Sequence, residues 1–504
     1  MEGSGTVNGA EAQSEQLKRE FSFISALGLG VVFVSPVVAL YSVFALTIMA
    51  AGGTAWWAFL IGLAGMMFVA LGFAEASSKW PLAGGLYQWS RKLVGPSYGW
   101  FASWTYSWTL FIGIALASYV AASFVPIVLD TSPFTPTETF LVSLGILAAC
   151  TFINALSQKA IKVFIAFSVA AEVIGSIGIG IILIVFYRIN PISTIFDSFG
   201  AGWGSGPDLW SGLAAAVAFV GWTFVAFEAA GDIAEEVENP QRAVPKAIIG
   251  ALTSVGAIVL FSSLALILAI PDWDAVISGQ VMDPAAETIA YHLGDSVARP
   301  LFALFILSFM AAVVAAQTSV SRVVWANARD GVLPGSRHLA RLNGRTKLPV
   351  NAILLAFGIS ACVLLLSFAG DVYATLLSFA AIGYMLSFAF PTLALFVRKV
   401  RGRWEPGVFS LGRIRGLLVT AVATVFVVFQ IVNIAWPRDV GQAWYLKWGV
   451  VITVLVIAAL GFVVWWSYRK QIAASVSETD RQELDAKGVE APAVGPAPKK
   501  PAEA

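Results

Sequence analysis

Long apolar runs recur along the whole chain, separated by short polar stretches that carry most of the charge. The runs approach or exceed the ~18 to 20 residues that a helix needs to cross a hydrocarbon core of ~30 Å. They predict twelve spans, near residues 21–48, 56–76, 97–126, 137–157, 161–188, 209–233, 246–270, 299–326, 349–368, 372–397, 415–435 and 444–468. Because the runs are continuous and do not alternate over ~10 residues, the spans are expected to be helices and not barrel strands. The predicted fold class is an all-α polytopic membrane protein embedded in a lipid bilayer. Several runs are longer than ~20 residues and must tilt, bend or project from the bilayer.

Two runs are interrupted. Span 1, FSFISALGLGVVFVSPVVALYSVFALTIM, holds Gly28, Gly30, Ser35 and Pro36, and span 6 holds Gly221 before Trp222 and Thr223. Glycine lets the backbone leave helical geometry, and proline removes a donor and frees a carbonyl. Unsatisfied backbone at that depth is tolerated only where it lines a cavity or binds something. Interruptions at positions one and six mark the chain as two five-span halves, residues 21–188 and 209–398, in an inverted repeat with a site near the midplane. Exposed N–H groups at a half-helix start suit a carboxylate, and freed carbonyls suit an ammonium. A zwitterion such as an amino acid fits both.

Composition sharpens the class. Of the 504 residues 58% are hydrophobic and only 12% charged, against about 25% charged in soluble domains. All but four of the 31 Lys and Arg residues fall on one side of the twelve-span arrangement, the exceptions being Arg188, Arg299, Arg438 and Lys447. The positive-inside rule then predicts that both termini are cytoplasmic, with the plasma membrane as the expected location. Residues 1–20 and 470–504 are polar and are expected to be disordered tails, leaving 21–398 as the ten-helix core and 399–469 as two additional spans. The N-terminus lacks the basic and apolar regions of a secretory signal, so the first span is expected to act as the insertion signal. Tryptophans near predicted span ends, such as Trp56, Trp57, Trp100, Trp436 and Trp444, read as interfacial anchors. The acidic connection after span 7, with Asp272, Asp274, Asp283, Glu287 and Asp295, reads as a solvated loop.

Cys150 and Cys362 lie in apolar runs, and His292 and His338 fall in predicted loops. No metal site or cofactor is expected from them. No P-loop is present, which argues against a nucleotide-driven pump, and nothing points to an enzyme or to a nucleic-acid partner.

Two carboxylates lie inside predicted spans. Glu172 sits in FSVAAEVIGSIG of span 5, far from Lys162 and Arg188. A carboxylate at the bilayer centre costs ~2.5 to 3.5 kcal/mol if it faces lipid, so Glu172 must face the bundle or carry a proton. It is a candidate for proton coupling, with a structural, hydrogen-bonded carboxyl as the alternative. Glu228 lies seven residues after Gly221 on the inner half of span 6 and is a candidate for gating or for meeting charge on the substrate, with helix packing as its alternative. Trp222 would cover a substrate ammonium with its π face. Asp232, Glu235 and Glu236 are expected to pair with basic loop residues such as Arg329. Tyr106, Trp108, Ser319, Ser378 and Tyr384 are further wall candidates.

Four stretches carry a family resemblance. Glu75 followed by Pro81, Gly84, Gly85 and Tyr87; Glu235-Glu236 with Pro240 and Pro245; Ala328-Arg329-Asp330-Gly331 with Pro334; and Leu348-Pro349-Val350 together resemble the amino acid–polyamine–organocation superfamily of permeases. The resemblance implies the leucine-transporter type of five-plus-five inverted repeat with two additional helices. It also implies alternating-access transport of amino acids or related amines, often coupled to protons or run as exchange, with choline-like, γ-aminobutyrate-like and polyamine substrates as alternatives. Carried over by residue, it implies that Gly28, Leu29, Gly30 and Val31 meet the substrate carboxylate. Phe219, Gly221, Trp222 and Thr223 would supply the unwound segment and its gating aromatic. Pro36 stands six residues after Gly30, whereas the family pattern places its proline five residues after the second glycine.

Overall fold

The computed structural model describes residues 21–156, 158–202, 209–281, 283–368, 373–437 and 444–475; the expected tails 1–20 and 476–504 lie outside them. The described chain is helical. Its first half runs α1 (Phe23–Val34), α2 (Pro36–Tyr41), α3 (Phe44–Ala51), α4 (Ala55–Lys79), α5 (Gly85–Leu93), α6 (Pro96–Ser123), α7 (Val125–Leu129), α8 (Pro136–Leu156), α9 (Gln158–Glu172) and α10 (Ile179–Phe186). The second half runs α11 (Leu209–Val220), α12 (Ala229–Asp232), α13 (Pro240–Ala269), α14 (Trp273–Ile277), α15 (Pro284–Leu293), α16 (Asp295–Arg329), α17 (Ser336–Leu339), α18 (Val350–Leu364) and α19 (Tyr373–Val400). After these come α20 (Arg413–Ala435), α21 (Trp444–Lys447) and α22 (Gly449–Ala474).

Among the described residues eleven helices are long and apolar enough to cross a membrane, and the apolar helix Ser211–Val220 is shorter. The expected span 209–233 is therefore not one helix: α11 stops at Val220, and the chain becomes irregular before the single turn of α12. Span 1 is likewise divided, into α1, α2 and α3. One large apolar core joins these pieces. Helix α6 packs against α8, α16, α18, α19 and α22, while α4 packs against α11, α13 and α20, so the broken pieces are enclosed by continuous helices.

The break in span 1 is not at Gly28 and Gly30. Both lie inside the unbroken α1, and the helix ends at Ser35. The reason is local: Pro36 has no N–H to continue the ladder and disfavours helical geometry in the residue before it. Ser35 accordingly adopts φ 47° and ψ 110°. Gly30 serves packing instead, since a Cβ built there would lie 2.9 Å from Cβ of Ala251 on α13. Gly30→Leu is expected to force α1 away from α13 and to cost about 1–3 kcal/mol, read as a lower melting temperature of the purified protein. An unchanged melt would show that α1 is free to move outward.

Two surface expectations change. Trp100 is buried and donates from Nε1 to the Val332 carbonyl at 3.0 Å, so it is a core residue and not an anchor. In the acidic connection, Asp272 and Asp283 cap α14 and α15, accepting from the backbone N–H groups of Ala275 and of Ala285 and Ala286.

Candidate functional site

The start of α2 is closed by the protein's own side chains. Pro36 offers no donor; the Val37 N–H donates to Oε2 of Glu172 at 3.1 Å, and the Val38 N–H donates to Oγ of Ser35 at 3.0 Å. The Ser35 hydroxyl in turn donates to Oε1 of Glu172 at 2.6 Å. Glu172 is buried at the end of α9, where a widened π turn over Val173–Gly178 carries the chain on to α10. Such turns leave a carbonyl in need of a partner, and Ser262 of α13 donates to the Ser176 carbonyl at 3.1 Å.

The second break faces the first. Beyond Val220 the chain turns through Gly221 to Glu228, with Ala226 at φ 72°. A Cβ on Gly221 would lie 2.9 Å from the Ala218 carbonyl and 3.2 Å from Nε2 of Gln430, so a larger residue does not fit there without movement. Trp222 donates from Nε1 to Oγ of Ser42 at 3.1 Å, and Thr223 donates from Oγ1 to the Ala39 carbonyl at 3.2 Å. These two bonds tie the span 6 break to the pieces of span 1. Gln430 and Asn433 of α20 brace the other end of the break by donating to the carbonyls of Val217 and Ala214 at 3.0 and 2.9 Å.

Between the breaks lies a small cavity. Phe33, Val34 and Val38 line it from span 1, Leu110, Gly113 and Ala117 from α6, and Trp222, Val225 and Ala226 from the span 6 break. Ala312 and Ala316 of α16 and Tyr384 of α19 complete the wall. Trp222 meets Tyr384 edge to face at 5.9 Å, and Tyr384 meets Tyr106 at 6.3 Å. Tyr106 leads to two carboxyls: its Oη lies 2.7 Å from Oε1 of Glu228 and 2.9 Å from Oδ2 of Asp232. Ser319 of α16 also hydrogen-bonds Oδ2 of Asp232. Glu228, Asp232 and Tyr106 are fully buried, and Oε2 of Glu228 and Oδ1 of Asp232 have no hydrogen-bond partner. Aromatic rings in the cavity wall, joined through Tyr106 to two buried carboxyls, form a surrounding suited to a cation.

Beyond the carboxyls the bundle is tied by ion pairs. Arg322 Nε donates to Oε1 of Glu236 at 2.9 Å, with both side chains wholly buried. Arg329 pairs with Glu235 at 3.0 Å, Arg91 with Asp330 at 3.3 Å, and Lys399 with Glu75. The backbone of Phe21, just ahead of α1, brackets Val237: the Phe21 N–H donates to the Glu236 carbonyl and the Glu238 N–H to the Phe21 carbonyl, each at 2.9 Å. The Gly84-Gly85 turn, at φ 91° and 29°, runs against the same segment, and the Gly84 N–H donates to the Asp232 carbonyl at 3.1 Å.

Of the residues expected at the site, Trp222 lines the cavity, Thr223 fixes the crossing of the two breaks and Gly221 permits the turn. Phe219 packs at the end of α11 outside the cavity wall. Gly28, Leu29, Gly30 and Val31 are helical and do not line it; span 1 reaches the cavity at Phe33, Val34 and Val38. Glu172 touches the break itself, and Glu228 does not line the cavity but bonds Tyr106, which packs on the lining residue Tyr384. Arg329 does pair with Glu235, but Asp232 meets Tyr106 and Ser319 and, among the described residues, no basic one. Tyr384 and Tyr106 are in place, whereas Trp108 faces apolar grooves elsewhere. Ser35 and Ser42 were not foreseen as polar contacts of the site. The serine before a mid-span proline was the readable signal for Ser35; no sequence signal marked Ser42.

Comparison with known proteins agrees with this architecture. Residues 21–460 match the family described as "Amino acid permease". An uncharacterized amino-acid permease of Schizosaccharomyces pombe is 28% identical over 79% of this chain and 74% of its own length. The choline transporter of Saccharomyces cerevisiae is 26% identical over 96% of this chain and 87% of its own. The GABA-specific permease of the same yeast is 25% identical over 84% and 77%. With the match covering most of its length, the chain belongs to the amino acid permease family.

Proposed function

We propose that the protein is a secondary carrier for an amino acid or related amine, working by alternating access at the cavity between the two helix breaks and coupled to protons. The observation that carries this reading is the crossing of the breaks, where Trp222 and Thr223 are bonded to Ser42 and Ala39 beside a small cavity. Irregular backbone deep in a bundle is expected at a transported ligand, and rocking one half against the other opens such a crossing to either side. The reading includes twelve spans in a five-plus-five inverted repeat plus two helices, both termini cytoplasmic, and the plasma membrane as location. Substrates of the choline, γ-aminobutyrate and polyamine type fall within its range.

Proton coupling is supported by the hydrogen count around Tyr106. One phenolic O–H faces two carboxyl oxygens, and a phenol has one hydrogen to give. A single proton on Glu228 or Asp232 lets both contacts be hydrogen bonds; loss of that proton leaves one contact without a hydrogen. The pair is thus built to gain and lose one proton as the cavity changes sides. Glu172, by contrast, already accepts two hydrogen bonds and is assigned to holding the span 1 break.

The test is uptake by the purified protein in proteoliposomes. A labelled amine or amino acid is expected to accumulate under an inward proton gradient and to stop when a protonophore is added. No uptake across a broad panel would sink the carrier reading; uptake that ignores the protonophore would remove only the coupling.

A further inference from the structure

We infer that the transported ligand is a cationic amine without an α-carboxylate, because Glu172 already occupies the place that a substrate carboxylate would take. The inference rests on the carrier reading and narrows its substrate class. A zwitterion held between broken helices needs free N–H donors at a half-helix start. At the span 1 break Pro36 has none, the Val37 N–H is bonded to Glu172 at 3.1 Å, and the Val38 N–H is bonded to Ser35 at 3.0 Å. The Ser35 hydroxyl, another donor at that place, is bonded to Glu172 as well. An incoming carboxylate would have to displace a buried carboxylate or lie beside it, and like charges at close range in a dry interior repel strongly.

The charge balance points the same way. None of the described residues that line the cavity is basic. Glu172 is bonded to Ser35 at the break, and the Glu228–Asp232 pair is reached from the cavity through Tyr384 and Tyr106; all three acids are buried, and Oδ1 of Asp232 has no hydrogen-bond partner among the described residues. Arg322, on the next turn of α16 beyond Ser319, is engaged with Glu236. A ligand of net charge zero would leave this acidity uncompensated, while an ammonium or quaternary ammonium compensates it and stacks on the Trp222 and Tyr384 rings. A buried carboxylate without a cation is costly; with one proton on the Glu228–Asp232 pair a charge still remains there, and the substrate itself is its natural counter-ion.

The experiment uses matched pairs that differ by a carboxylate: choline and glycine betaine, cadaverine and lysine, ethanolamine and serine, histamine and histidine. Binding to the purified full-length protein is read by thermal shift, and transport by counterflow in proteoliposomes. Within every pair that registers, the carboxylate-free member is expected to bind about tenfold tighter or better. A carboxylate-bearing member that binds equally well or more tightly overturns the inference while leaving the carrier reading intact. Silence from all eight compounds in both assays overturns the inference, while the carrier reading stands or falls on the broad panel above. Glu172→Ala supplies a second arm: freeing the Val37 N–H should bring the carboxylate-bearing member closer to its partner. If Glu172→Ala weakens both members of a pair equally, Glu172 only shapes the helix break and the inference fails.

Discussion

Arg322→Ala is expected to destabilise the folded protein by about 3–5 kcal/mol, because it leaves the Glu236 carboxylate buried with no counter-charge. Both members of this pair are at zero exposure, and the bond from Arg322 Nε to Glu236 spans α16 and the segment after α12. Taking two charges out of water is expensive, and their mutual contact and the bond from Arg322 Nη1 to Ser321 at 3.1 Å help to offset it. The same logic predicts a rescue. Joining Arg322→Met to Glu236→Leu removes both charges and fills similar volume, and should restore most of the melting temperature lost in the single variant. The pair made by Arg299 with Asp130 and Asp295 is a control, since its acidic partners are well exposed; Arg299→Ala should cost no more than about 1 kcal/mol. Thermal unfolding in detergent, with size-exclusion profiles for aggregation, reads all of these. A wild-type melt for Arg322→Ala would mean that Glu236 finds water or a proton, and that this layer is not the clamp described above.

That clamp bears on function because it lies directly beneath the site. Phe21 and Val237 join the start of α1 to the chain just after the α12 turn, and Arg322 and Arg329 fix that chain to α16. Parting this segment from α1 and α16 breaks the wholly buried Arg322–Glu236 pair, the partly exposed Arg329–Glu235 pair and two backbone bonds. The geometry fits a carrier closed at its charged end, with α1, α12 and α16 as the elements that must separate.

Most of this architecture was legible in the sequence because bilayer physics leaves few options. Apolar runs of membrane length can only be helices or barrels, and the Gly221 interruption is visible in the letters of span 6. The pairing of Glu235 with Arg329 followed from charge placement alone. What was not legible is equally physical. Gly28 and Gly30 resemble flexible breakers, yet in an apolar bundle a glycine also permits close helix contact, and only the position of Ala251 distinguishes the two. The break went to Ser35 because proline acts on the residue before it. Asp232, standing with Glu235 and Glu236 toward the polar end of span 6, reads as a partner for basic loop residues. The irregular stretch from Gly221 to Glu228 and the turn of α12 instead bring it to Tyr106. Glu172 was correctly singled out as a charge that must face the bundle, but its partners, Ser35 and the Val37 N–H, lie well over a hundred residues away in sequence.

Glu228→Gln is expected to abolish accumulation driven by a proton gradient while leaving substrate exchange. Glutamine has the shape and hydrogen-bonding groups of a protonated glutamate, so it can keep the contact with Tyr106 Oη that Glu228 makes at 2.7 Å. Asp232 keeps a negative charge beneath the cavity for the cation. What is lost is the exchangeable proton. One pH unit is worth about 1.4 kcal/mol per proton, or roughly tenfold accumulation for one proton coupled to one substrate. With the membrane potential clamped, the wild type should approach that ratio and the variant should fall to about one, while counterflow of labelled against unlabelled substrate continues. Glu172→Gln separates the two acids: it retains the pH-driven ratio and alters which ligands bind, because Glu172 acts on the break and not on the proton. Tyr106→Phe, which removes the hydroxyl common to Glu228 and Asp232, should reduce the ratio without abolishing exchange. Full pH-driven accumulation by Glu228→Gln would leave the coupling role to Asp232, which shares the Tyr106 hydroxyl, or to Glu172, which touches the span 1 break.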